Sequence, residues 1–200
     1  MNKPLSETKL SELPELTANT QKLPEIDNSA NEEFVAQQEE VRQMIAANLP
    51  LGEILSKLVL MIESQTPDML CSILLLSDDG NHVRHAVAPS LPESYVKVID
   101  GSPIGPKHGS CGTAMFRGEP VTVSDILTDP LWDDYRDHAV AIGMRACWST
   151  PIMSSKGKVL GSFAMYYRDP RSPDGEERHL TEVATKLAAE AIEHKVRQAK

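Results

Sequence analysis

The short spacing between the last two apolar runs constrains the fold more than any other feature of the chain. Ala146-Cys147-Trp148-Ser149-Thr150-Pro151-Ile152-Met153 and Val159-Leu160-Gly161-Ser162-Phe163-Ala164-Met165-Tyr166-Tyr167 are separated only by a turn built on Ser155-Lys156-Gly157-Lys158. Parallel strands need a crossover of roughly a dozen residues or more, so strands joined this closely run antiparallel. The pattern also occurs earlier, where the apolar run Leu70-Cys71-Ser72-Ile73-Leu74-Leu75-Leu76 is followed by Asp78-Asp79-Gly80-Asn81 and by the more alternating His82-Val83-Arg84-His85-Ala86-Val87. A further strand is predicted at Val121-Thr122-Val123. The strands come in hairpins without β-α-β alternation, which gives an α+β class with an antiparallel sheet.

Two segments have the period of helices that can cover such a sheet. Leu51, Ile54, Leu55, Leu58, Val59 and Ile62 recur at three and four until Gln65 and Pro67. Near the end, Ser172 as N-cap and Pro173 at the first helical position open a helix carrying Leu180, Val183, Ala184, Leu187, Ala188, Ala191 and Ile192. These two helices are expected on one face. The long insertion 89–137 must fold over the other, with a short helix after Pro92 and another from about Asp133 to Ile142 closed by Gly143, and a pocket is expected beneath it.

Before this domain, Ser29-Ala30-Asn31-Glu32 has capping-box spacing and leads into a thin stripe of Phe34, Val41 and Ile45. The stripe fits a helix contacting one partner, a candidate dimerisation element. Residues 1–28 carry Pro4, Pro14 and Pro24 among polar residues with no apolar period, and are expected to be disordered. The organisation read from sequence is therefore 1–28 disordered, 29–49 helix, and 50–197 a single folded domain.

Charge and cysteine content exclude several classes. A net charge of −9 offers no clustered cations for phosphate, so nucleic acid is not expected as a partner. The three cysteines, Cys71, Cys111 and Cys147, form no CxxC, and neither a zinc site nor a disulfide framework is indicated. No apolar run approaches the ~20 residues of a membrane span, and the first residues after Lys3 are not an apolar signal block. The expectation is a cytoplasmic protein without a membrane partner.

Chemistry concentrates at Gly109-Ser110-Cys111-Gly112-Thr113-Ala114. Two glycines around a serine and a cysteine let the backbone turn and start a helix with free N–H groups, which can bind a small ligand or be capped by Ser110 or Thr113. Together with Arg117-Gly118-Glu119-Pro120-Val121, Asp125-Ile126, Asp129-Pro130-Leu131-Trp132, Ala146 to Ile152 and Val159-Leu160-Gly161, this element resembles the GAF domains of bacterial signalling proteins, over roughly residues 51–195. The resemblance implies an antiparallel sheet of five or six strands, a ligand cavity on one side and helices, often dimerising, on the other.

The resemblance assigns no cofactor. GAF domains bind cyclic nucleotides, bilins, haem, iron or nothing known; the cyclic-nucleotide signature and the phytochrome cysteine–histidine pair are not recognisable in this chain. The free methionine-(R)-sulfoxide reductases share the fold, and their glycine-cysteine-glycine-threonine element is similar to Cys111-Gly112-Thr113. Their further cysteine would fall near Asp134-Tyr135, where none stands. A non-enzymatic sensory module binding a small molecule or reporting a redox change, and forming a homodimer, is the expected function. A thiol enzyme and a ligand-free dimerisation module are the alternatives.

The candidate ligand-binding residues are Ser110, Cys111, Thr113, Asp125, Trp132, Asp134, Tyr135, His138, Trp148 and Thr150, with no catalytic residue or metal ligand assigned. Strand alternation gives Trp148 and Thr150 one face, where the indole serves equally as cavity wall or core. Asp125, Asp133, Asp134 and Asp137 suit either acid–base work at a pocket rim or the capping of helix starts. His108 and His138 lack the spacing of metal ligands.

Overall fold

The computed structural model describes residues 29–199. The segment 1–28, expected from sequence to be disordered, lies outside the described residues. Five strands, β1 (Leu70–Leu76), β2 (Val83–Val87), β3 (Val121–Val123), β4 (Ala146–Met153) and β5 (Val159–Tyr167), form one antiparallel sheet in the order β2-β1-β5-β4-β3. The two hairpins lie side by side, because β1 pairs with β5: Cys71 faces Met165, Ser72 faces Ala164 and Leu74 faces Ser162. This junction needs a glycine at 161, since a Cβ there would stand 2.2 Å from the Leu74 carbonyl oxygen.

One face of the sheet carries the helices α1 (Ser29–Ala46), α2 (Leu51–Glu63) and α6 (Gly175–Gln198). α2 buries Ile54, Leu55, Leu58, Val59, Met61 and Ile62. Each such side chain contributes about 1.5–3 kcal/mol on leaving water, so α2 is the main attachment of the helical layer. α6 presents Ala184, Ala188 and Ala191 among its buried residues, small enough for close approach to α2 and β4.

α6 begins later than the sequence suggests. Asp174 is its N-cap, with a capping box in which Asp174 accepts from the Glu177 N–H and Glu177 from the Asp174 N–H. Ser172 bonds Ser124 instead, at 2.7 Å.

The stripe on α1 has a different use from the one expected. Phe34, Val41 and Ile45 are buried within their own chain, in one core with residues of α2 and α6. Lys57 bridges Glu40 at 2.7 Å, and the Lys195 ammonium donates to the Asn48 carbonyl at 2.8 Å. The residues proposed for a partner are already covered, because a thin stripe needs only the shallow groove between two helices.

The opposite face is covered by the insertion, with α3 (Glu93–Ile99), α4 (Gly109–Arg117), a 3-10 turn (Pro130–Trp132) and α5 (Arg136–Ala141). A second core forms here around Tyr95, Ala114, Val123, Ile126, Trp132 and Tyr166. Both faces of the sheet are therefore buried, which explains the nearly continuous apolar character of β4 and β5.

Candidate functional site

The glycine cluster supplies the first turn of α4. Gly109 takes a left-handed φ of 59°, and Gly118 ends the helix at φ 67°. The imidazole of His108 packs across the turn, so that a Cβ at Gly105 would meet its ring at 2.4 Å. Thr113, fully buried, accepts the His108 N–H at 3.1 Å. That hydroxyl satisfies the backbone at the helix entry.

Ser110 joins three elements. Its hydroxyl donates to the Cys147 carbonyl of β4 at 3.1 Å and accepts from the Trp132 indole N–H at 3.1 Å. Next to it, the Cys111 sulfur lies 3.8 Å from the Tyr166 hydroxyl, which also meets Ser72 Oγ at 3.0 Å. The Ser149 and Ser162 hydroxyls are buried on the same face of β4 and β5 as Cys147 and Tyr166 and have no oxygen or nitrogen partner among the described residues.

Cys111 packs against the buried cluster that contains Cys147, and their environments separate the two thiols. Hydrogen bonding from the Cys147 thiol is the chief influence holding the Cys111 thiol below the usual range, helped by Ser149, Tyr166 and Ser162 against the opposing effect of burial. Burial, with Cys111 beside it, pushes Cys147 well above that range. The sheet's Tyr166 and the facing Tyr95 are likewise raised well above the usual phenol range by burial, and so stay protonated donors.

A cavity of about 30 Å³ opens between this cluster and α3, walled by Leu74, Val83, Tyr95, Ile99, Trp132 and Tyr166, with Ser110 and Cys111 also in its lining. A water needs about 10–15 Å³ of such space, so the cavity has room for one or two molecules of that size.

Of the residues singled out from sequence, Ser110, Cys111, Trp132 and Tyr135 line the cavity, and Thr113 lies buried one turn behind. Asp125 stands apart: it takes the Arg145 guanidinium at 3.1 and 3.2 Å and caps the Leu127 N–H, fixing the loop after β3. Asp134 and His138 are exposed and outside the lining. Among the described residues no group of three or more histidines, cysteines and carboxylates is placed to hold a metal.

Trp148 and Thr150 require a correction. They do share a face of β4, but it is the helical one: Trp148 donates to the Arg171 carbonyl at 3.2 Å, and its ring stacks near Tyr167 with centroids 4.7 Å apart. Thr150 lies beside α6 in the same surface groove. The cavity face of β4 belongs to Cys147 and Ser149, one step out of phase. Tyr95, Tyr166, Ser149 and Ser162 were not singled out from sequence. The available signal was the two-residue period Ser162, Ala164, Tyr166, whose polar members sit in an otherwise apolar strand.

Residues 50–192 match the sequence profile of the GAF domain. The chain belongs to the GAF family. This GAF chain is 37% identical over 163 residues to the methyl sulfide methyltransferase-associated sensor of Methanosarcina acetivorans. The match covers 82% of this chain and 16% of that protein, so the GAF chain spans about a sixth of the relative's length. Among solved structures, a domain of a putative two-component sensor histidine kinase protein from Sinorhizobium meliloti is similar with a TM-score of 0.59 and 22% identity, over 74% of this chain and 94% of that one. A free methionine-R-sulfoxide reductase from Neisseria meningitidis, in complex with its substrate, is similar with a TM-score of 0.62 and 17% identity, over 88% of this chain and 96% of the reductase. At these identities the structural likenesses show the fold that was expected.

Proposed function

We propose that this GAF domain is a non-enzymatic sensory module of signal transduction, acting in the cytoplasm as a homodimer. In this reading a small molecule or a redox change is received in the cavity under α4, and α1 and α6 pass the response on. The observation that carries it is the placement of that cavity. Two of its lining residues are tied to β4 and β5, Ser110 to the Cys147 carbonyl and Cys111 to the Tyr166 hydroxyl, and on the reverse side of the same strands Tyr167 donates to Glu177 of α6 while Trp148 donates to the Arg171 carbonyl just before that helix. A change of packing around Ser110 or Cys111 thus has a short, rigid path to the terminal helix. Similarity to a protein named as a sensor supports the same reading.

The cavity is small, so an input larger than about two waters must displace the turn at His108 or the edge of α3. A metabolite screen by thermal shift tests this. A compound present at a hundred times its dissociation constant stabilises by about 2.7 kcal/mol, and a true effector should also perturb the indole signal of Trp132. If no metabolite, gas or oxidant alters either the melting temperature or Trp132, the sensory reading fails. Free methionine-(R)-sulfoxide is the substrate to include for the reductase alternative, and it is expected not to turn over.

A further inference from the structure

We propose that Cys111 and Cys147 form a hydroperoxide-responsive dithiol, with Cys111 the residue attacked through the cavity and Cys147 the residue that closes a disulfide behind it. The arrangement separates the two roles. Cys111 lines the cavity, whereas Cys147 has no exposed surface and sits in the buried cluster against which Cys111 packs. Ser110 clamps the first turn of α4 onto the Cys147 carbonyl, which keeps the two residues side by side. The third cysteine cannot take part: Cys71 packs among the helical-face residues, opposite Met165, on the far side of the sheet.

The hydroxyls around Cys111 suit the chemistry. Ser149 and Ser162 are buried on the face of β4 and β5 against which Cys111 packs, and they lack an oxygen or nitrogen partner among the described residues, so each can donate to an anion formed there. A buried hydroxyl without a partner carries a cost, and a developing thiolate or sulfenate removes it. The lowered Cys111 and raised Cys147 pKa values agree with a division into an attacking thiolate and a resolving thiol. Size favours a small oxidant: a cavity of about 30 Å³ takes hydrogen peroxide without rearrangement, whereas a bulky hydroperoxide must displace the turn at His108 or the edge of α3.

The step balances as follows. The Cys111 thiolate attacks the distal peroxide oxygen; the O–O bond breaks, the sulfur becomes a sulfenic acid, and the alcohol or water leaves with the proton the thiol gave up. The Cys147 sulfur then attacks the Cys111 sulfur, the S–O bond breaks, and water departs with the Cys147 proton. In sum, two thiols and one hydroperoxide give one disulfide, one water, and one alcohol or second water.

The inference rests on the sensory reading for its consequence in α6, but not for the linkage itself. The reduced full chain, treated with hydrogen peroxide and digested without reductant, should yield a Cys111–Cys147 peptide pair, leaving Cys71 as the alkylatable thiol until dithiothreitol restores all three. In the Cys147→Ser variant the sulfenic acid should persist on Cys111 and be trapped by dimedone; the Cys111→Ser variant should give neither product. Should Cys147→Ser fold poorly, Cys147→Ala provides the same trap, and the wild-type peptide map stands without either. Three free thiols after peroxide, or a linkage through Cys71, would overturn the inference and leave the sensory reading intact. A Cys111–Cys147 linkage that leaves hydrogen exchange of α6 unchanged would instead sustain the dithiol and count against the sensory reading.

Discussion

Glu177 accepts from the Arg171 guanidinium at 2.6 Å and from the Tyr167 hydroxyl at 2.8 Å while its own side chain is only 3% exposed. Arg171 in turn lies over the rings of Tyr167 and Trp148, at 4.3 and 5.7 Å from their centroids. The second Glu177 oxygen closes the capping box with Asp174. One carboxylate thus binds the start of α6 to the end of β5. Glu177→Ala leaves Arg171 and the Tyr167 hydroxyl without their acceptor. Removing one member of a buried pair costs about 3–5 kcal/mol, and because the Arg171 side chain stays 37% exposed the expected loss is nearer 2–3 kcal/mol. Urea unfolding followed by circular dichroism measures it. Glu177→Gln should recover about half.

The Ser110 relay admits a sharper test. Ser110→Ala removes the acceptor of the buried Trp132 N–H and a donor to the Cys147 carbonyl, so about 1–3 kcal/mol should be lost. The Trp132 fluorescence should shift, because its indole loses a partner within the core, while Trp148, bonded to Arg171 on the other face, should not respond. Comparison with a Trp148→Phe background separates the two. An unchanged emission in that background would mean that Ser110 does not position Trp132.

The hydrogen bonds of Asp125 with Arg145, aided by the Leu127 N–H, hold its carboxyl below the usual carboxylate range. A folded-state value lower than the unfolded one gives stability that is present above the unfolded pKa, about 3.9, and is lost as pH falls through the folded value. Asp125→Asn should therefore lower the melting temperature at neutral pH and reduce the difference between neutral pH and about pH 3. A variant whose acid limb matches the wild type would exclude Asp125 from that limb.

Most of this fold can be read from the sequence because its short turns leave few alternatives: the β4–β5 hairpin and the α2 stripe follow from spacing alone. The assignment of faces does not follow in the same way. Alternation separates Cys147 and Ser149 from Trp148 and Thr150, but when both sides of a sheet are buried the period carries no sign. A large indole suits a cavity wall and a core equally, and in the structure Trp148 packs with Tyr167 and Arg171 just before α6. Asp125 was open between pocket rim and capping because what decides it, Arg145, lies twenty residues away. Cys111 and Cys147 come together only through the tertiary placement of α4 on β4. No local spacing in the sequence signals that pair.

Burial of Phe34, Val41 and Ile45 inside the chain changes how dimerisation must be tested. Deleting everything before Leu51 would strip three core side chains, worth about 1.5–3 kcal/mol each, and would confuse loss of fold with loss of association. The apolar residues still exposed on the helical layer are Val35 on α1, Leu60 on α2 and Val196 on α6, at 56%, 49% and 52% exposure. A charge at an exposed position costs the monomer little, usually within about 0.5 kcal/mol, but is unfavourable at a closed interface. The variant Val35→Glu, Leu60→Glu, Val196→Glu should therefore keep the wild-type urea midpoint measured at high dilution and change from dimer to monomer by light scattering. If the wild type is itself a monodisperse monomer, or if the triple variant remains dimeric, the helical layer is not the dimer interface.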